Sequence, residues 1–177
     1  MAGEQKVLRG NITIWAAFPE ARTNWAAPDA SVIALDVADG LIIDISCAIT
    51  DDSGESLNET EPQTDDTQSI CDIATVETPT FGNYEAALDG FRNKPGTTDT
   101  PYYDLFYSLF NGVDRGYWLV KRVDKAQGAT IAAGDILSAF EFTTDYSEDI
   151  AGDGDVILFG ARFKPTGDYY TNKTVVA

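Results

Sequence analysis

Three aspartates within seven residues, Asp149, Asp153 and Asp155, are interleaved with Gly152 and Gly154. Oxygen ligands on a glycine-rich loop are what calcium takes. The spacing departs from a helix–loop–helix calcium loop, and no bidentate glutamate follows at the required distance. Asp-Gly turn chemistry accounts for the run more simply. A pair of carboxylates can hydrolyse glycosides, one as acid and the other as base or nucleophile. With 29 Asp and Glu such pairs arise by chance, so the pattern has little specificity. The chain has no histidine, which excludes Ser-His and Cys-His nucleophile pairs and leaves metal binding to carboxylates. No G-x-S-x-G, phosphate-binding loop or G-x-G-x-x-G occurs. Cys47 and Cys71 are either a disulfide, worth on the order of 3 kcal/mol, or two reduced thiols. Two cysteines without histidine make a poor zinc site. Trp15, Trp25 and Trp118 offer a sugar-stacking platform, or else core and interface residues, with Trp25 the interface candidate.

Charge is the stronger signal. The formal net charge is -17, and it is concentrated. Between Arg22 and Arg92 no Lys or Arg occurs, and 15 of the 29 acids lie there. The density peaks at Asp51, Asp52, Glu55, Glu59, Glu61, Asp65 and Asp66. Such a surface repels nucleic acid, because each carboxylate raises the cost of bringing a phosphate near. The pattern suits a structural part better than an enzyme, and no cofactor is expected.

At 177 residues, with 44% hydrophobic and 11% aromatic residues, the chain is long and apolar enough for one domain with a real core. No run of 18 apolar residues is present, so no membrane partner is expected. The first nine residues carry no apolar stretch of signal length, which predicts synthesis and folding in a cytosol.

The elements that must position these residues read as mainly β. Residues 11–18 alternate as a strand after an N-terminal arm over 1–10, and 19–28 form an irregular connection. Residues 31–37 and 41–49 read as two strands joined at Asp39-Gly40, a hairpin signal. That hairpin would place Asp36, Asp39 and Asp44 on or beside a sheet. Residues 50–69, with Leu57 their one large apolar residue before Ile70, read as a long acidic loop. A strand follows over 81–91. One helix is predicted from Pro101 to Asn111, with Thr98, Asp99 and Thr100 as capping candidates and Asn111-Gly112 as its stop. Tyr102, Leu105, Phe106 and Leu109 fall at i, i+3, i+4 and i+7 and define its core face. Strands at 117–123, 136–143 and 156–164 precede a polar tail over 165–177. The whole predicts a β-sandwich or partly closed barrel with one flanking helix.

Read in order, these features resemble the major tail tube proteins of long-tailed, siphovirus-type bacteriophages. The shared order is a polar N-terminal arm, then Ile45-Ser46-Cys47-Ala48-Ile49 opening into the acidic loop. Ser69-Ile70-Cys71-Asp72 and Thr78-Pro79-Thr80-Phe81-Gly82-Asn83-Tyr84-Glu85 come next, then a single helix and closing strands. The resemblance covers nearly the whole chain, so residues 1–177 are expected to form a single tail-tube domain. It implies a β-sandwich with one flanking helix, related to the tube protein of type VI secretion systems. It also implies hexameric rings stacked into a hollow tube with an acidic lumen through which DNA leaves without binding. The loop over 50–69 would then reach a neighbouring ring, and Asp36, Asp39 and Asp44 are candidates for the lumen. The implied partners are copies of this chain, a tape measure protein and other tail components. The implied location is the virion tail, assembled in the bacterial host cytoplasm. The rival classes are a carbohydrate-binding β-sandwich module that uses the tryptophans, and a carboxylate-pair glycosidase.

Overall fold

A computed structural model describes residues 12–50, 55–65, 78–93, 100–123, 125–151 and 157–177. The strands are β1 (Ile12–Ala17), β2 (Ile42–Asp44), β3 (Glu55–Asp65), β4 (Thr78–Phe91), β5 (Gly116–Val123), β6 (Ile136–Ala151) and β7 (Ile157–Thr174). The helices are α1 (Ala30–Ala38) and α2 (Pro101–Phe110). The strands form one seven-stranded sheet in the order β2-β1-β5-β6-β7-β4-β3, and every ladder is antiparallel. The sheet curls into a barrel that does not fully close. The fold is therefore mainly β as expected, but with two helices.

The second helix corrects the hairpin read at 31–49. Val32, Ile33 and Val37 favour strand by type, yet Asp29 caps a helix start. Its Oδ1 accepts from the Ser31 N–H at 2.8 Å, the Ser31 hydroxyl at 2.6 Å and the Val32 N–H at 3.3 Å. These bonds, led by the Ser31 hydroxyl, hold the Asp29 carboxyl below its usual range. Asp39 caps the helix C-terminus, and Gly40 follows at φ 72°, the left-handed exit that glycine permits. Of the strand expected at 41–49, only Ile42–Asp44 is extended, and Ser46–Ala48 forms a 3-10 turn.

Two further elements differ from expectation. Glu55–Asp65, read as loop, is an 11-residue strand paired with β4. Residues 165–174, read as tail, continue β7, and Val176 pairs with Asp29 beside α1. The N-terminal arm over 1–10 lies outside the described residues.

Alternation sends successive side chains of the sheet into two cores. Ile14 and Ala16 of β1, Leu119 of β5, and Phe140 and Phe142 of β6 face Leu57, Leu88, Phe106, Phe110 and Phe163. Trp15, Ala17, Val120, Leu137 and Ala139 face the other way, against Ile33, Trp25 and Val175. The helix α2 covers the first core. Phe106 is fully buried, with its ring 5.2 Å from that of Phe110 and 5.9 Å from that of Phe159. Leu109 is buried and Leu105 partly buried, but Tyr102 is 52% exposed and Phe110 takes the expected place of Tyr102. The helix packs so tightly that a Cβ at Gly90 would lie 2.6 Å from the Phe106 ring and 2.8 Å from the Ala48 carbonyl oxygen. Only glycine fits there without movement.

Arg122 of β5 is fully buried on the opposite face. Its guanidinium donates to Thr13 Oγ1 at 3.1 Å, the Thr130 carbonyl at 3.2 Å, the Ala129 carbonyl at 2.9 Å and Asp135 at 3.3 Å. A buried charge is tolerable when its donors are all directed at acceptors, and this one ties the β5–β6 connection to the sheet.

Candidate assembly surfaces

The β4–β7 ladder runs from Ala86↔Phe163 to Phe91↔Leu158. The β3–β4 ladder goes further, from Glu55↔Leu88 to Asp65↔Thr78. Residues 78–85 thus have β3 as their sole sheet partner among the described residues, and the hairpin leaves the body as a two-stranded arm. Its root is held on both strands. Leu57 of β3 is buried in the first core, and Glu55 pairs with Lys121 of β5, whose Nζ lies 2.8 and 3.1 Å from the two carboxylate oxygens. On β4, the Tyr84 hydroxyl lies 2.6 Å from the Glu141 carbonyl and 3.0 Å from that of Gly167. Beyond this root, Asn58, Glu59 and Glu85 are exposed.

β7 diverges from the arm in the other direction. From Lys164 to Thr174 it is paired with β6 alone among the described residues, which leaves its outer edge without a described partner. Between the arm and the body lies a groove of about 380 Å³ lined by Asn58, Glu59, Lys121, Val123, Ile136 and Asn172, among others. The short β2 closes the far end of the sheet with three residues.

The acids predicted from the sequence separate into distinct roles. Asp51, Asp52 and Asp66 lie outside the described residues. Glu61 and Asp65 lie on β3 in the arm, Glu59 is exposed there, and Glu55 sits at its root. The lumen candidates do not share a sheet face. Asp36 is fully buried in α1, where one oxygen accepts from the Thr23 N–H at 2.9 Å and its hydroxyl at 2.7 Å, while Oδ1 has no partner among the described residues. A buried carboxylate cannot line a channel. Asp39 pairs with Arg22 at 2.6 Å, and Asp44 accepts from the Ser46 N–H at 2.9 Å. Both serve local structure.

The remaining candidates are also placed. Trp15 and Trp25 are buried, and Trp118 lies between Trp25 and a stacked Tyr170 ring, so the three form no open sugar platform. Trp25 accordingly is a core residue of this subunit. Asp149 pairs with Arg92 at 2.5 Å, while Asp153 and Asp155 lie outside the described residues. Among the described residues no cluster of three metal-ligating side chains occurs, and no helix is long and apolar enough to cross a membrane. Cys47 is an exposed thiol contacted by Gln127 Nε2, and Cys71 lies outside the described residues.

Sequence reasoning missed Lys121, Tyr84 and Arg162 as the residues that tie the arm and its neighbours together. Burial works against the Arg162 charge, but Asp89 at 2.6 Å and Glu148 at 2.7 Å hold its pKa above the usual value. Nothing in local pattern marks such residues, since their partners are distant in sequence.

No curated protein matches the chain. The solved SPP1 tail tube, determined by solid-state NMR and cryo-EM, shares the fold. It aligns with a TM-score of 0.56 at 9% identity, covering 96% of this chain and 81% of that one. The family model described as phage tail tube protein matches residues 1–177. Spanned end to end by that model, the chain belongs to the phage tail tube proteins, non-enzymatic structural components of the virion that self-assemble into the tail tube.

Proposed function

We propose that this chain, acting as a single tail-tube domain, closes into hexameric rings that stack through the β3–β4 arm. The observation that carries this reading is the arm itself, which outruns the sheet that supports it. A two-stranded hairpin is marginally stable alone in water, so its outer half gains most by docking on another surface. A neighbouring copy supplies that surface in a stack. Glu59, Glu61 and Asp65, with Asp51, Asp52 and Asp66 beside them in sequence, belong to this inter-ring element. Within a ring, head-to-tail contacts close by rotation, and the edges at β2, β3 and the outer β7, unpaired among the described residues, are the surfaces that need covering.

The finished tube is an acidic-lined conduit. Unpaired carboxylates along a DNA path remove attractive contacts, and screening beyond roughly 8 Å makes them a short-range coat. Glu85, exposed on the arm face opposite Leu57 and Tyr84 and without an ion pair among the described residues, supports this reading better than Asp36, Asp39 or Asp44. Assembly occurs in the bacterial host cytoplasm, with a tape measure protein and other tail components as partners.

The test is to replace residues 60–83 with an Asn-Gly turn, so that Glu59↔Tyr84 becomes the closing pair. Leu57, Tyr84 and the body remain. Electron microscopy of the intact chain should show six-fold rings and tubes. The shortened chain should keep its circular dichroism and fail to stack. Normal tubes from the shortened chain overturn the arm's role.

A further inference from the structure

Lys121 and Glu55 meet although the sheet separates them. β5 is followed by β6, β7, β4 and only then β3 in the strand order, and no backbone ladder joins β3 to β5 among the described residues. The Lys121 ammonium nevertheless reaches both oxygens of Glu55, with side-chain exposures of 18% and 25%. This contact crosses the curl of the sheet at the root of the arm. Just beyond it the groove opens, so Asn58 and Glu59 have room beneath them.

Beside its ladder with β4, β3 has two side-chain attachments to the body, and they differ in kind. Burial of Leu57 is non-directional and holds the strand down without fixing its heading. A charge-assisted contact to two oxygens is directional, and partial burial protects it from salt. We infer that Lys121 and Glu55 are positioning residues that set the angle at which the arm leaves the body, and with it the angular step from one ring to the next. This rests on the arm-mediated stacking proposed above. The pair touches no neighbouring ring itself. It acts through the arm.

The experiment compares the intact chain with Glu55→Gln, Lys121→Met and the exchanged double variant Glu55→Lys/Lys121→Glu. Tube formation is followed by light scattering, ring rotation by helical reconstruction, and folding by thermal denaturation. Glu55→Gln and Lys121→Met should form tubes about tenfold more slowly, the effect of roughly one charge-assisted hydrogen bond on a barrier. Their rotation per ring should broaden or shift while the melting midpoint stays within a few degrees. The exchanged variant should recover both rate and rotation. Amide exchange on free subunits gives a second readout, with faster exchange at Leu57 to Thr60 in Glu55→Gln and recovery in the exchange. Single variants with the intact chain's rate and rotation overturn the inference. A rate loss that merely follows a fall in melting midpoint overturns it too, since the pair is then only part of the fold. If the arm-shortened chain stacks normally, the stacking reading has failed instead, and the inference falls with it.

Discussion

The phenol oxygen of Tyr84 on β4 lies 2.6 Å from the main-chain carbonyl of Glu141 on β6, joining two strands that β7 separates. It reaches across because β7 bulges there: Phe140 pairs with Tyr169 and Phe142 with Pro165, leaving Thr166, Gly167 and Asp168 opposite Glu141. The Gly167 N–H donates to the same phenol at 3.2 Å. Tyr84 therefore fills the split where the arm departs. Tyr84→Phe keeps the ring but leaves these main-chain groups without their partner, so it should cost about 1–3 kcal/mol in urea denaturation. A loss below roughly 0.5 kcal/mol would show that water replaces the hydroxyl there.

Alkaline pH offers an independent check on the same group. Burial raises the Tyr84 pKa above its usual value, and the carboxylates of Glu141 and Asp168 add to the shift, partly offset by hydrogen bonds from the backbone. A raised folded-state value means that the native protein holds the proton more tightly than the unfolded chain. Its stabilisation is complete below the unfolded value of about 10 and is lost as pH rises through the folded one. Tyr170 shifts in the same direction, so the intact chain alone is not diagnostic. The difference between intact protein and Tyr84→Phe should shrink as pH rises above about 10. A constant difference across that window contradicts the assignment.

The helix face gives a contrast within one element. Phe106→Ala should cost about 3–5 kcal/mol, because its buried ring packs on Phe110, Phe159 and the Gly90 backbone. Tyr102→Ala should stay within about 0.5 kcal/mol, since that side chain is 52% exposed. Equal losses in chemical denaturation would mean that the helix is rotated about its axis.

Gly90→Ala tests the close approach of strand and helix. The added methyl meets the Phe106 ring and the Ala48 carbonyl at under 3 Å, so something must move. Overpacking of this kind costs about 1–3 kcal/mol. Pairing it with Phe106→Leu should recover part of the loss in a double-mutant cycle.

Charge reversal separates the acids by environment. Asp36→Lys should abolish soluble folding, because it buries an ammonium where Thr23 now donates two hydrogen bonds. Glu85→Lys, on the exposed face of the arm, should leave a folded subunit. Tubes built from it should retain duplex DNA at low salt and release it as salt rises, with each lysine that meets a phosphate steepening the slope by about 0.9. Tubes that retain no DNA would place Glu85 off the DNA path.

Much of the fold was legible because it follows local pattern. The alternation of β1 and the β5–β6 strands, the proline-led start of α2 and its Asn111 stop all lie within a few residues of their causes. α1 was misread because Val32, Ile33 and Val37 have strand propensity, and the capping role of Asp29 was not read. β3 was hidden for the opposite reason. Its sequence has almost no apolar residue, and its extended form comes from pairing with β4. β7 was cut short at Pro165, although from Lys164 onward it has, among the described residues, a partner on one side only, where a sheet tolerates proline. The candidate surfaces were legible as charge and not as geometry. The acidic segment was found, but Lys121, Tyr84 and Arg162 act through partners 14 to 83 residues away, which no local pattern encodes.

The two-sided sheet has a consequence for how such a chain can change over time. Ile14 and Ala16 belong to one core while Trp15 and Ala17 belong to the other, and β5 and β6 divide in the same way. Inserting or deleting a single residue in one of these strands would swap its side chains between cores and misfit both. Substitutions that keep size and polarity at each parity misfit neither. Drift in identity is thus cheap and drift in spacing is not, so length variation is channelled into the connections. A shared fold at 9% identity is what that asymmetry permits.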